Sequence, residues 1–236
     1  MRTLTRESRD ALSPAAVIDV LRKGNERFQN NLKANRNLLQ QVNDTSDGQH
    51  PMAIVLSCID SRTSAELIFD QGLGDIFSVR VAGNVLNGDI LGSMEFACKV
   101  AGAKAIVVLG HTRCGAVKGA CDGVELGNLT GLLAKIRTAV DLEQITSVDR
   151  TSKNSDFVER VAQLNVVHVE QEILDWSPLL AGMVRRGELG IVSAMYDVES
   201  GAVRFYDTTM LVGSTALPDP ATAVLEMAES AAGAHH

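Results

Sequence analysis

An α/β fold with a mostly parallel central sheet flanked by helices is predicted by three observations. Two apolar runs of strand length, Met52-Ala53-Ile54-Val55-Leu56 and Ala105-Ile106-Val107-Val108-Leu109, carry no polar alternation, which suits strands buried on both faces of a parallel sheet. Segments with helical spacing alternate with further strand-like runs, the order expected of one α/β domain. The chain has 236 residues, 45% apolar and 22% charged, an ordinary globular composition that can bury a sizeable core without disulfides.

The elements follow in order. Ser13-Pro14 is an N-cap followed by proline in the first helical turn, and Val17, Val20, Leu21, Gly24 and Phe28 continue one apolar face. From Asn35 to Pro51 the chain is mostly polar with an Asp47-Gly48 turn signal, read as a short helix or surface loop. After the strand at 52–56 a second is expected at 76–81. Ile90, Met94, Ala97 and Ala101 predict a helix over 90–100, leading into the strand at 105–109. A helix is expected over 128–142, irregular chain over 142–155, and a longer helix over 155–175 through Val158, Val161, Leu164 and Val169. Ser177-Pro178 opens another helix, 190–196 is a strand, and Gly201 turns the chain before a last strand at 203–206. The chain is read as a single domain: an N-terminal helical arm (1–50), an α/β core (51–210) and a tail (211–236) that ends in His235-His236.

Charge and cysteine usage narrow the function. Lys and Arg number 22 against 29 Asp and Glu, a net charge of −7; with aromatics at 4% and no basic run, general nucleic-acid binding is not expected. No run approaches the length that spans a bilayer, and 1–10 is charged without an apolar segment, so neither a membrane span nor a signal peptide is expected. Four cysteines are too few for a disulfide framework in a chain this long, which points to a reducing, cytoplasmic setting. There a cysteine is buried filler, a metal ligand or a nucleophile.

Chemistry-bearing residues gather after the two most buried strands. Leu56 is followed by Ser57-Cys58-Ile59-Asp60-Ser61-Arg62, and Leu109 by Gly110-His111-Thr112-Arg113-Cys114-Gly115. Ligands of open parallel sheets bind outside the carboxyl ends of strands, so if these strands are neighbours, Cys58 and Asp60 face His111 and Cys114 across one crevice. Two thiolates, an imidazole and a carboxylate form a tetrahedral set for zinc, and the soft sulfurs argue against magnesium or calcium. Taken singly, a strand-end cysteine is commonly packing and His-x-x-Cys is a weak signal; their shared edge raises the metal reading. Cys98 falls inside a helical pattern and reads as core. Cys121 offers an alternative, closed Cys58-His111-Cys114-Cys121 site without catalysis, though its segment should carry the helix away from the crevice. His168 reads as a surface or packing residue and His50 has no clear role.

Cys58-Ile59-Asp60-Ser61-Arg62 with His111-Thr112-Arg113-Cys114-Gly115 resembles the metal-binding signature of the β-class carbonic anhydrases. Gly24-Asn25-Glu26-Arg27-Phe28, Gly74-Asp75-Ile76-Phe77, Arg80-Val81-Ala82-Gly83-Asn84 and Ala194-Met195-Tyr196-Asp197-Val198 extend the resemblance over about Ala16 to Tyr206. The resemblance implies reversible hydration of carbon dioxide to bicarbonate by a zinc-bound hydroxide. By position, Cys58, His111 and Cys114 would hold zinc, with water or Asp60 in the fourth place. Arg62 would draw Asp60 off the metal, and the Gly115 amide would contact bicarbonate. It also implies a homodimer or homotetramer whose N-terminal helices extend onto a partner subunit. With two thiolates cancelling the metal charge, hydration should rise toward alkaline pH. Relatives of this fold that hydrolyse carbon disulfide or carbonyl sulfide share the motifs. Two positions depart from the family. Val55 stands where one branch has a tryptophan of a regulatory bicarbonate pocket, so that inhibition is not expected. Thr63 replaces a commonly apolar residue and should make the pocket margin more polar.

Overall fold

A computed structural model describes residues 3–216, so the Ala-rich end of the tail and His235-His236 lie outside the described residues. The chain opens with α1 (Arg6–Asp10), α2 (Pro14–Gln29) and α3 (Leu38–Asp44), then enters the sheet at β1 (Ala53–Ser57). α4 (Ala65–Ile68), β2 (Ile76–Arg80), α5 (Gly88–Glu95) and β3 (Ala105–His111) follow. Four helices come next: α6 (Gly115–Cys121), α7 (Gly127–Leu142), α8 (Ser155–Trp176) and α9 (Pro178–Arg185). β4 (Gly190–Tyr196) and β5 (Val203–Phe205) complete a five-stranded sheet of order β2-β1-β3-β4-β5. The first four strands in that order are parallel, and β5 pairs antiparallel with β4. No helix of the described residues is long and apolar enough to cross a membrane.

The missing polar alternation in β1 and β3 has a direct cause. Successive side chains point to opposite faces of a strand, and here both faces are covered. Ile54, Leu56, Ile106 and Val108 pack toward α5 to α9, whereas Ala53, Val55, Val107 and Leu109 pack toward α2 and α4. Val17, Ile18 and Leu21 anchor α2 and are buried, each worth roughly 1.5–3 kcal/mol. At Gly24 a Cβ would lie 1.8 Å from the Phe69 carbonyl oxygen, so only glycine allows this approach. Asn25 completes the attachment, donating to the carbonyls of Ile68 and Gly201 and accepting from the Val203 amide. α2 is thus part of this chain's own core.

One expected element takes a different form, and an irregular one proves ordered by its contacts. The helix expected over 90–100 is α only to Glu95 and then widens into a π turn at Phe96–Val100, closed by Ala101 N–H to Phe96 C=O. The wider turn lets the consecutive residues Ala97 and Cys98 both enter the core while Phe96 and Val100 stay exposed. The irregular chain expected over 142–155 is firmly pinned. Buried Glu143 pairs with Arg150 and Arg160, and the Arg150 guanidinium lies 4.7 Å from the Phe157 ring centre. Between α8 and β4, Glu170 is fully buried; it accepts from the Ser193 hydroxyl, and its Oε1 has no partner among the described residues.

Candidate metal centre

The chain passes from β1 to β2 on one side and returns to β3 on the other, so its winding reverses between β1 and β3. Ser57 of β1 pairs with Leu109 of β3. Cys58 follows β1, His111 ends β3, and Cys114 is the N-cap of α6, which brings all three to one sheet edge. All three are buried, and their ligand atoms lie within 4.8 Å of one another. The adjacency that the sequence reading assumed is therefore present.

The histidine is oriented by its neighbour. His111 Nδ1 lies 2.9 Å from the Thr112 carbonyl. A carbonyl only accepts, so Nδ1 carries the hydrogen and Nε2 offers a lone pair. Nε2 is buried and has no hydrogen-bond partner among the described residues, an arrangement that costs about 1–3 kcal/mol unless something accepts the lone pair. Two sulfurs and this nitrogen are soft and borderline donors suited to zinc. The residues fit such an ion.

The sulfurs are electrostatically unequal. Cys58 faces the Cys114 thiol and accepts from the Gly83 amide at 3.3 Å; these contacts lower its pKa below that of an ordinary thiol. Cys114, facing that sulfur and desolvated, is pushed upward. The pair thus favours a thiolate on one sulfur, the form that ligates metal. Burial raises the pKa of Cys98 to about 12 and that of Cys121 to about 11. Cys98 lies in the core as expected, and Cys121, at the end of α6, lies outside the converging group. His168 approaches Glu172 at 3.6 Å across one helical turn, and neither it nor His50 joins the group.

Asp60 stands outside the three-ligand group and is held by Arg62. Arg62 Nε donates to Oδ1 at 2.9 Å and Nη2 to Oδ2 at 2.8 Å, a bidentate fork, while the Arg62 amide adds 3.0 Å to Oδ1. The Arg62 guanidinium keeps the Asp60 carboxyl well below the usual carboxylate range. Thr63 behaves differently from the expectation of a more polar pocket margin. It is buried, and its hydroxyl faces the Cys58 and Asp60 carbonyls, bracing the loop instead. A Cβ at Gly115 would meet nothing within 4 Å beyond its chain neighbours and its own helix backbone, so the space on that side of its Cα is open.

Sequence reasoning assigned no role to Arg80, Gly83 or Asn165. Arg80 donates to the Cys58 and Asp60 carbonyls at 3.0 and 2.6 Å. Gly83 adopts φ +68, and a Cβ there would lie 2.5 Å from Ile136 Cδ1, so glycine is required for its amide to reach Cys58. Asn165 Nδ2 holds the Gly83 carbonyl at 3.0 Å. The available signal was the Gly83-Asn84 pair, both at positive φ.

Comparison with known proteins points the same way. A family model described as carbonic anhydrase matches residues 53–203. The chain is 34% identical over 195 residues to carbonic anhydrase 2 of Mycobacterium tuberculosis, covering 80% of this chain and 91% of that protein. The crystal structure of the β-carbonic anhydrase CafA of Aspergillus fumigatus aligns with a TM-score of 0.64 at 27% identity, covering 92% of this chain and 96% of that one. A structure from work on two tetrameric β-carbonic anhydrases of Sordaria macrospora aligns at 0.63 and 24% identity, covering 82% and 95%, a likeness of fold.

Proposed function

This chain belongs to the β-class carbonic anhydrases, and from that premise we propose that it is a zinc enzyme interconverting carbon dioxide and bicarbonate. The observation that carries the reading is the convergence of the two sulfurs with a buried, unpartnered His111 Nε2 at the sheet edge. Cys58, His111 and Cys114 are the proposed protein ligands. When bound, zinc would supply a Lewis acid that brings the pKa of a coordinated water down toward neutrality.

The chain's own residues divide the remaining work. Asp60, ionised by its bidentate contact with Arg62, is an acceptor-only group that orients the reacting water's hydrogen. Arg62, always charged and fork-shaped, keeps that carboxylate turned toward itself and off the metal site. Arg80 and Thr63 fix the backbone beneath Asp60. The Gly115 amide, next to Cys114 at the start of α6, donates to bicarbonate. The four free cysteines support a reducing, cytoplasmic setting. The edge position of β2 and the exposed Leu38, Leu39 and Phe96 support assembly as a homodimer or homotetramer.

Stopped-flow hydration of carbon dioxide, before and after chelation and after zinc is returned, tests the proposal. Activity that falls on chelation and recovers with zinc is expected. Turnover indifferent to chelation, or none in the zinc-loaded protein, would refute it. Faster turnover of carbonyl sulfide or carbon disulfide would reassign the substrate.

A further inference from the structure

The loop that carries His111 and Cys114 is held by a clamp from outside it. Between the two residues, Arg113 adopts φ +58, a left-handed conformation that is unfavourable for a non-glycine residue. Such a turn persists only where neighbouring structure holds it. The Thr112 carbonyl, which accepts from His111 Nδ1, is only as well placed as Thr112 itself. Thr112 is secured three times over. Its amide donates to the Tyr196 carbonyl at 2.9 Å, its hydroxyl accepts from the Val198 amide at 3.0 Å, and the same hydroxyl meets Asp197 Oδ1 at 3.3 Å.

Asp197 sits in the β4–β5 connection with its own geometry closed. The Glu199 amide donates to Oδ1 at 2.9 Å and the Ser200 hydroxyl to Oδ2 at 2.8 Å. Burial works against its charge, yet the donors from Glu199, Ser200 and Thr112 together keep its carboxyl below the usual range. Being ionised, it only accepts, so the Thr112 hydroxyl must donate to it and turn its lone pairs to Val198. Arg113 pairs with Glu199 on the same connection, but both side chains are exposed, where an ion pair contributes little.

We propose that Asp197 is a positioning residue of the metal centre, acting through Thr112 to hold the His111 ring. The inference rests on the reading of Cys58, His111 and Cys114 as metal ligands. It extends the general dependence of a ligating histidine on the acceptor behind its second nitrogen by one further step. The clamp borders a surface cavity lined by Thr112, Arg113, Asp197 and Glu199, so water can reach the groups that a truncated Asp197 leaves unpaired.

Cobalt(II) bound to the full chain is the probe, read by its visible absorption bands and by its release to a chelator. Asp197→Ala and the isosteric Thr112→Val are each expected to speed release ~10–100-fold and to shift the bands. Asp197→Asn, whose amide oxygen can keep the two Oδ1 contacts with Thr112 and Glu199 while Ser200 turns to accept, is expected to restore the bands and slow release again. Glu199→Gln should leave both readouts unchanged. Wild-type bands and release rates in Asp197→Ala and Thr112→Val, whatever their melting temperatures, would overturn the proposal alone. An effect of Asp197→Ala that Thr112→Val does not reproduce would overturn the route through Thr112. Should Asp197→Ala fail to fold, Thr112→Val decides by itself. A wild-type chain that takes up no cobalt would overturn both this inference and the metal reading beneath it.

Discussion

Glu170→Gln is expected to remove a pH-dependent loss of stability that the fold carries. Burial between α8 and β4 raises the Glu170 pKa from 4.5 to about 8, against the opposing hydrogen bonds of Ser193 and Thr209. The folded state therefore holds a proton that the unfolded state has released at any pH between those values. Stability from this group is complete below 4.5 and declines as pH rises, with no further loss above about 8. A slope of about 1.4 kcal/mol per pH unit across that window accumulates to about 5 kcal/mol. Glutamine cannot titrate, so the variant's unfolding free energy should lack this component. Urea unfolding of both proteins from about pH 5 to about pH 9, at matched metal loading, measures the difference between the two curves. The gap should move in the variant's favour by several kcal/mol over the series, whatever constant offset the amide introduces. Parallel curves would refute the reasoning, because they would mean that Glu170 titrates alike in both states.

Three further outcomes follow from the site. Cys58→Ser should abolish stable metal binding, measured as zinc content after dialysis; full zinc retention would remove Cys58 from the ligand set. Arg62→Ala should retain zinc while hydration falls ~10–100-fold, and loss of the metal instead would make Arg62 a structural residue. Gly83→Ala brings a Cβ to 2.5 Å from Ile136 Cδ1 at φ +68, so it should destabilise the fold by about 1–3 kcal/mol and weaken metal binding with it. A melting temperature and zinc affinity equal to wild type would show that the backbone there adjusts freely.

The sequence by itself determined the local features. The runs at 52–56 and 105–109 announced strands buried on both faces, because unbroken apolar character is the imprint of two covered faces. His111 and Cys114 were legible as a pair because only two residues, Thr112 and Arg113, separate them. Tertiary structure decided everything that depends on which strand lies beside which. Periodicity reports that a residue is buried and is silent about its neighbour, so only the parallel pairing of β1 with β3 brings Cys58 to His111. The same limit hid the Arg80 brace and the Gly83 amide, which reach the centre from the end of β2 and the turn after it, and the Asp197 clamp, which reaches it from the β4–β5 connection. It also hid the π turn at Phe96–Val100, where packing two consecutive residues inward overrode the 3.6-residue repeat. The candidate ligands were written into the chain as residue types at strand ends and just beyond them; the geometry that brings them together comes from strand pairing and hydrogen bonds between segments far apart in sequence.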